Sequence, residues 1–334
     1  MLAPHHSLAW LGSLLDHARF ACAVINPFSI LKAILLARPA GGNRALLEAE
    51  KEHDLVRDCV SGPVEKRPNA QFTDSVSLQP VNRYPGLLII NADDWGRDRA
   101  NTDRICECAL RGTVSSASAM VFMEDAERAA EIAREHDIDT GLHLNLTSPF
   151  TGTGCSPRLM EEQNKITSHL RRHRLAKFVP HPGLARTFDY VVSAQLDEYR
   201  RLYGKDPERW DGHHHMHLSA NMLLGKLLPE GIIVRRNFSF LPGEKGFFNR
   251  RYREVEDQLL AKRYRVVDFF FSLAPLEPKE RLQRLFSLAR QHVVELETHP
   301  VNPEEHRFLM GDDVLRWAGD QPIASNFILR SESL

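Results

Sequence analysis

From about Tyr84 onward the chain alternates between short apolar runs and segments whose apolar positions recur at helical spacing. "GLLIINA" is an apolar run bounded by turn residues and predicts a buried strand; "NTDRICECALRG" follows with helical spacing, and Gly112 is placed to stop it. "TVSSASAMVF" predicts a second strand, the alanine-rich "EDAERAAEIAREH" a second helix, and "TGLHLNLT" a third strand. The stretch from Ser148 to Arg186 is partly basic and reads as irregular. "FDYVVSAQLDEYRRLYG" then predicts a helix ending at Gly204, and "RWDGHHHMHL" the end of another strand. The alternation continues through "GIIVRRN", "YRVVDFFFS", the helix "PKERLQRLFSLARQ" and the strand "HVVELETHP". Strands alternating with helices imply right-handed βαβ units and a parallel sheet. Roughly seven or eight such units, in a fold that typically takes about 250 residues, predict an α/β chain closed into a (β/α) barrel rather than an open sheet.

The segment before Tyr84 has a different character. "FACAVINPFSILKAILLA", residues 20–37, is the most apolar stretch of the chain, and Pro27 and Lys32 interrupt it. A membrane-spanning helix wants about 20 predominantly apolar residues, and a secretory signal wants a basic start, which "MLAPHHSLAW" lacks. The stretch therefore reads as an amphipathic helical appendage, with a membrane-associated or cleaved segment as the alternative, followed by a polar, proline-bearing arm without sustained periodicity. The predicted organisation is an N-terminal helical and irregular extension over 1–83 and a barrel over 84–334.

Charge removes one class of partner. Lys and Arg total 43 against 44 Asp and Glu, so no global field attracts nucleic acid or an anionic membrane. The five cysteines, Cys22, Cys59, Cys106, Cys108 and Cys155, form no CxxC pair and are odd in number, which fits neither a zinc ribbon nor a disulfide framework. A reducing cytoplasm is the expected compartment. The 16 histidines cluster, and that changes the picture more.

Four places put acids or imidazoles where an apolar run ends. "LLIINADDWG" delivers Asp93 and Asp94 side by side; one reading is a helix N-cap, since Asp satisfies free N–H groups, and the other is a cation ligand beside a free base. "TGLHLNLT" sets His143 inside an apolar strand, where a satisfied core histidine and a ligand are both open. "WDGHHHMHL" is more specific. On an extended segment His213, His215 and His217 face one way and His214 and Met216 the other. Burying several imidazoles together costs desolvation that a cation would offset, although a solvated His-rich loop needs no site. "VVELETHP" ends in Glu295, Glu297 and His299. In a parallel barrel the C-terminal strand ends are where functional groups converge.

At these residues the chain, from about Gly86 to Pro300, resembles the YdjC/ChbG-like carbohydrate deacetylases, which hydrolyse the acetamide of N-acetylated sugars. The matching motifs are "NADDWG" (usually NADDFG), "GLHLNLT", "DGHHHMH" (usually DSHHHVH) and "VELETHP" (usually VExMxHP), in that order. The resemblance implies a distorted (β/α) barrel, one divalent cation such as Mg2+ or Zn2+, and an N-acetylated carbohydrate as substrate. It further implies Asp94, His143 and His213 as metal ligands, Asp93 as general base and His299 as acid, with Glu295 orienting a neighbour. The chemistry agrees, because an amide needs a Lewis acid to polarise its carbonyl and acidify the attacking water, a base to take that water's proton and an acid for the departing amine. His215 and His217 are expected to support the ligands, contact substrate or ligate in their place.

Departures from the family pattern shape further expectations. Trp95 stands where Phe is common and has two readings, a sugar-stacking face or a core side chain. Gly212 stands where Ser is usual. Arg235 and Arg236 read as an ordinary solvated basic pair, with orientation of Asp93 or contact with substrate hydroxyls as the alternative. A metal-dependent phosphoesterase or amidohydrolase on a similar barrel, and a carbohydrate-binding protein with a degenerate site, are the competing functions. The first is disfavoured because such sites commonly open with HxH where this chain has Asp-Asp. The residues specify neither the particular substrate nor the assembly state, for which a homodimer is one option.

Overall fold

The computed structural model describes residues 86–173, 175–240, 246–327 and 329. The extension expected over 1–83, with its apolar stretch, lies outside the described residues. Within them the predicted alternation is present as strands β1 (Leu87–Trp95), β2 (Ser116–Ala119), β3 (Thr140–Leu144), β4 (Arg209–Gly212), β5 (Ile233–Val234), β6 (Phe269–Ser272) and β7 (Val293–Thr298). The helices between and after them are α1 (Arg99–Leu110), α2 (Ala126–Glu135), α3 (Pro157–Arg171), α4 (Ala185–Tyr203), α5 (Ala220–Leu224), α6 (Phe247–Ala261), α7 (Lys279–Ala289), α8 (Pro303–Met310) and α9 (Asp313–Ala318). No described helix is long and apolar enough to cross a membrane.

Every strand pair is parallel, in the order β5-β4-β3-β2-β1-β7-β6. The two outer strands are brought toward each other by the approach to β6. Val234 N–H donates to Arg265 O and Arg265 N–H to Ile232 O, each at 2.9 Å. The result is the expected α/β architecture, a curled, distorted (β/α) barrel of seven strands.

Local chemistry places the helix ends. Asp98 caps α1 by accepting from Asn101 N–H at 2.9 Å, and Gly204 ends α4 in the left-handed region at φ 67°. The stretch expected to be irregular between Ser148 and Arg186 instead contains α3. Ser156 caps that helix, Pro157 opens it, and Leu159, Gln163, Ile166 and Leu170 form its buried face. The polar Gln163 breaks the apolar period there, and it is buried because its side chain donates to Ser148 O at 2.6 Å and accepts from Phe150 N–H.

Strand alternation sorts the interior. Leu88, Ile90, Ala92, Leu142, Trp210, Val234, Val294 and Leu296 belong to the main core under the helices. Their neighbours on the other face, Ile89, Ile233, Phe270 and Val293, join Val267, Phe327 and Leu329 in a second, smaller cluster. Further along the same face this apolar floor gives way to Asn91, Asp93, Ser116, Ser118, His143, Asp211, Arg235, Glu295 and Glu297, all buried. The barrel is thus apolar at one end of its interior and ionic at the C-terminal strand ends. Gly141, near the start of β3, leaves room for Arg209, since a Cβ at that position would sit 2.8 Å from Arg209 O.

Candidate active site

Asp93 and Asp94 share the site because the strand turns over between them. Asp94 adopts φ 69°, and the β1–β2 register shifts between Ala92 and Trp95, a bulge that re-aims one side chain. Left-handed backbone at a non-glycine residue costs about 1–2 kcal/mol, a strain that clusters at functional positions. The two carboxylates then diverge in role. Asp94 Oδ2 accepts from Arg97 Nη1 at 3.0 Å, whereas its Oδ1 is buried, has no hydrogen-bond partner, and lies 3.0 Å from His213 Nδ1 and 3.5 Å from His143 Nε2. Asp93 is clamped instead. Arg235 donates to both of its oxygens, at 2.6 and 2.7 Å, and Asn91 Nδ2 adds a third bond at 2.9 Å.

The histidine-rich segment is not extended. Gly212 is the last extended residue; His213–Leu218 forms a 3-10 turn in which His214 and His215 are left-handed, at φ 54° and 57°. The chain turns back so tightly that a Cβ on Gly212 would meet His217 at 3.1 Å. The expected common face of His213, His215 and His217 is therefore replaced by a fan. His213 points to Asp94, His214 Nδ1 meets Thr147 Oγ1 at 2.9 Å, His215 Nε2 lies 3.5 Å from Glu297, and His217 Nε2 meets the Arg235 carbonyl at 2.9 Å. Burial drives the His217 pKa down to about 4, so the neutral ring donates to that carbonyl and holds Arg235 in place.

His143 is oriented from behind. Its Nδ1 lies 2.7 Å from Asp211 Oδ1, which fixes the ring and leaves Nε2 facing Asp94. Asp211 also accepts from Ser118 Oγ at 2.6 Å and lies 3.1 Å from Arg235. Burial opposes charge on both partners, but Arg235 and His143 lower the Asp211 pKa, and Asp93 and Asp211 raise that of His143 to about 10. Burial likewise opposes the Asp94 charge, and His213 and His143 nevertheless hold its carboxyl well below the usual carboxylate range.

Asp94, His143 and His213 each bring a ligand atom within 4.8 Å of the others. The Nε2 of His213, like Asp94 Oδ1, is buried without a hydrogen-bond partner. Two imidazoles and one carboxylate oxygen converging at this spacing fit a divalent cation. Two other groups of similar spacing, Asp93 with His143 and Asp211, and Asp93 with Glu297 and His299, share Asp93, whose oxygens the Arg235 guanidinium already occupies.

His299 follows β7 with its side chain 35% exposed, its backbone N–H held by Glu305 Oε2 at 3.0 Å. Glu295 accepts from Arg235 Nε at 2.7 Å, so the neighbour it orients is Arg235. Trp95 is fully buried in the main core, the second of its two readings. Arg236 stands apart, bound to Asp257. The solvated-pair reading fails for Arg235, which is 1% exposed and ringed by Asp93, Asp211, Glu295 and Glu297. Sequence reading also passed over Asn91 and Asp211, and noted Glu297 without giving it a role. Their signal is the inward period of two: each sits two residues from an assigned site residue, Asp93, His213 or His299.

A family model described as "YdjC-like protein" matches residues 87–321. A mouse (Mus musculus) protein named carbohydrate deacetylase is 32% identical over 170 residues, covering 48% of this chain and 51% of that protein. A chitooligosaccharide deacetylase of Enterobacter sp. (strain 638) is 33% identical over 144 residues, 40% of this chain and 50% of its own length. The chain spans about half the length of the curated relatives it matches. Among solved structures, an Enterococcus faecalis V583 protein described as a cellobiose-phosphate cleavage protein superposes with a TM-score of 0.51 at 20% identity, over 72% of this chain and 97% of its own, a likeness of fold. With the model spanning the whole barrel and every residue of the ionic cluster, the chain belongs to the YdjC-like family.

Proposed function

We propose that the chain is a metal-dependent carbohydrate N-deacetylase, a hydrolase that removes the acetyl group from an N-acetylated sugar. One observation carries the reading: Asp94, His143 and His213 each bring a ligand atom within 4.8 Å of the others, with Asp94 Oδ1 buried and free of hydrogen bonds, and Asp93, Glu297 and His299 form a second group of that spacing beside them. The names of the mouse and Enterobacter relatives support the substrate class. A divalent cation, Mg2+ or Zn2+, held by Asp94, His143 and His213 would polarise the amide carbonyl and acidify the attacking water.

The chain's own residues supply the rest. Asp93, immobilised by Arg235 and Asn91, accepts the proton of the water that attacks the acetyl carbon. Burial opposes a proton on His299, but Glu297, Asp93, Asp94 and Glu305 face it and raise its pKa, so the ring keeps a proton to give. That proton goes to the amide nitrogen as the carbon–nitrogen bond breaks. Asp211 holds His143 so that Nε2 faces Asp94 throughout.

The test is acetate release from a panel of N-acetylated sugars, with and without chelator, comparing wild type with Asp93→Asn. Chelation abolishes release, and Asp93→Asn retains the cation while losing about 10²–10⁴-fold in turnover. A fully active Asp93→Asn protein overturns the base assignment; hydrolysis of p-nitrophenyl phosphate without acetate release favours a phosphoesterase instead.

A further inference from the structure

Glu297 is a buried carboxylate to which the chemistry above gives no role beyond its charge. Its two oxygens face different partners: Oε1 lies 3.9 Å from His299 Nδ1, while Oε2 lies 3.5 Å from His215 Nε2 and 3.6 Å from Arg235 Nη1. Oε2 is buried and accepts no hydrogen bond. Arg235 does not satisfy it, because Nη1 and Nη2 donate to Asp93 and Nε to Glu295. An unsatisfied oxygen on a buried carboxylate is costly, and the other oxygen, Oε1, is the one that faces the His299 ring. The same interior shows another such pair: Asp211 fixes His143 through its Nδ1 at 2.7 Å. Glu297 near the end of β7 and His299 just after it, two residues apart, repeat that arrangement in a more open form.

We propose that Glu297 is a positioning residue for His299, its carboxylate turning the Nδ1–H of the ring toward itself and so presenting Nε2–H to the substrate nitrogen. The proposal rests on the deacetylase reading only for the identity of that nitrogen. In the step itself, the Nε2 proton passes to the nitrogen as the carbon–nitrogen bond breaks, and the ring stays paired with Glu297 on its Nδ1 side, where the two atoms lie 3.9 Å apart. Glu297 is the largest of the charges that raise the His299 pKa; Asp93 and Asp94 from β1 and Glu305 from α8 also face the ring, and burial acts against them. Glu305 is already engaged by the His299 backbone N–H and by Thr298 Oγ1, at 3.0 and 2.7 Å. Burial and Asp93 push the Glu297 carboxyl up, against the pull of Arg235 and His299.

The experiment uses the full chain loaded with Mg2+ or Zn2+, its histidines isotopically labelled and the His299 signal assigned by its loss in His299→Gln. Titration by NMR gives the His299 pKa in wild type and in Glu297→Gln, which keeps shape and removes charge. The pKa falls by about one pH unit in Glu297→Gln. The alkaline limb of kcat moves to lower pH by the same amount, KM changes little, and Glu297→Asp restores part of both. An unchanged His299 titration in Glu297→Gln overturns the proposal, as does a loss confined to KM. If Glu297→Gln does not fold, wild type still decides: His299 titrating at or below the free-imidazole value of about 6.5 overturns it, and a higher value that falls in Glu297→Asp supports it. Absence of acetate release from every sugar in wild type refutes the deacetylase reading and leaves the titration to judge the Glu297–His299 pair.

Discussion

At the scale of the residue, the site is a contest between burial and charge. Asp93, Asp211, Glu295 and Glu297 all lie within 3.6 Å of the Arg235 guanidinium. Removing one partner of a buried ion cluster leaves the others uncompensated, at a typical cost of about 3–5 kcal/mol. Arg235→Met is expected to lose that much on chemical denaturation; a loss below about 1 kcal/mol, the range of an exposed pair, would mean the cluster tolerates the bare carboxylates. His143 supplies a second prediction. Without a cation its ring stays protonated up to about pH 10, burial being outweighed by Asp93 and Asp211, whereas a metal ligand must be a neutral imidazole. Cation binding at neutral pH therefore expels about one proton, and affinity rises about tenfold per pH unit until the pH passes that of His143. Calorimetric titration in two buffers of different ionisation enthalpy measures it, and identical heats would contradict it.

At the scale of the element, the loops after the strands are held by specific caps. Asn302 Oδ1 accepts from Glu304 N–H at 3.0 Å at the start of α8, and Glu305 one residue on binds the His299 backbone. Asn302→Ala should cost about 1 kcal/mol in unfolding free energy; a stability within a few tenths of wild type would show the cap to be dispensable. The capping and stop signals at Gly112 and Gly204 were legible because they act locally, on the residues next to them. The buried face of α3 was not. Its Gln163 looks polar in the sequence, and partners on the Ser148–Phe150 turn make it a core residue. The His213–Leu218 turn was equally hidden, since nothing local distinguishes an extended run of histidines from one folded back through two left-handed residues.

At the scale of the whole molecule, binding and stability are one measurement, because a cation joining β1, β3 and the turn after β4 would bind the folded chain and not the unfolded one. At a free concentration 100 times its dissociation constant it should add about 2.7 kcal/mol, reversed by chelator. A Tm indifferent to Mg2+, Zn2+ and chelator would argue against the site. The sequence by itself determined the alternation of elements, the apolar floor of the barrel and the residues competent for the chemistry, since each depends on residue type and on a period of two or 3.6. The tertiary structure decided the rest. Whether Arg235 is solvent-exposed or the centre of the site, whether Trp95 meets sugar or core, and which histidine faces Asp94 depend on strands distant in sequence converging on one interior. There the energy of a charge is set by its neighbours and its distance from water rather than by its own chemistry.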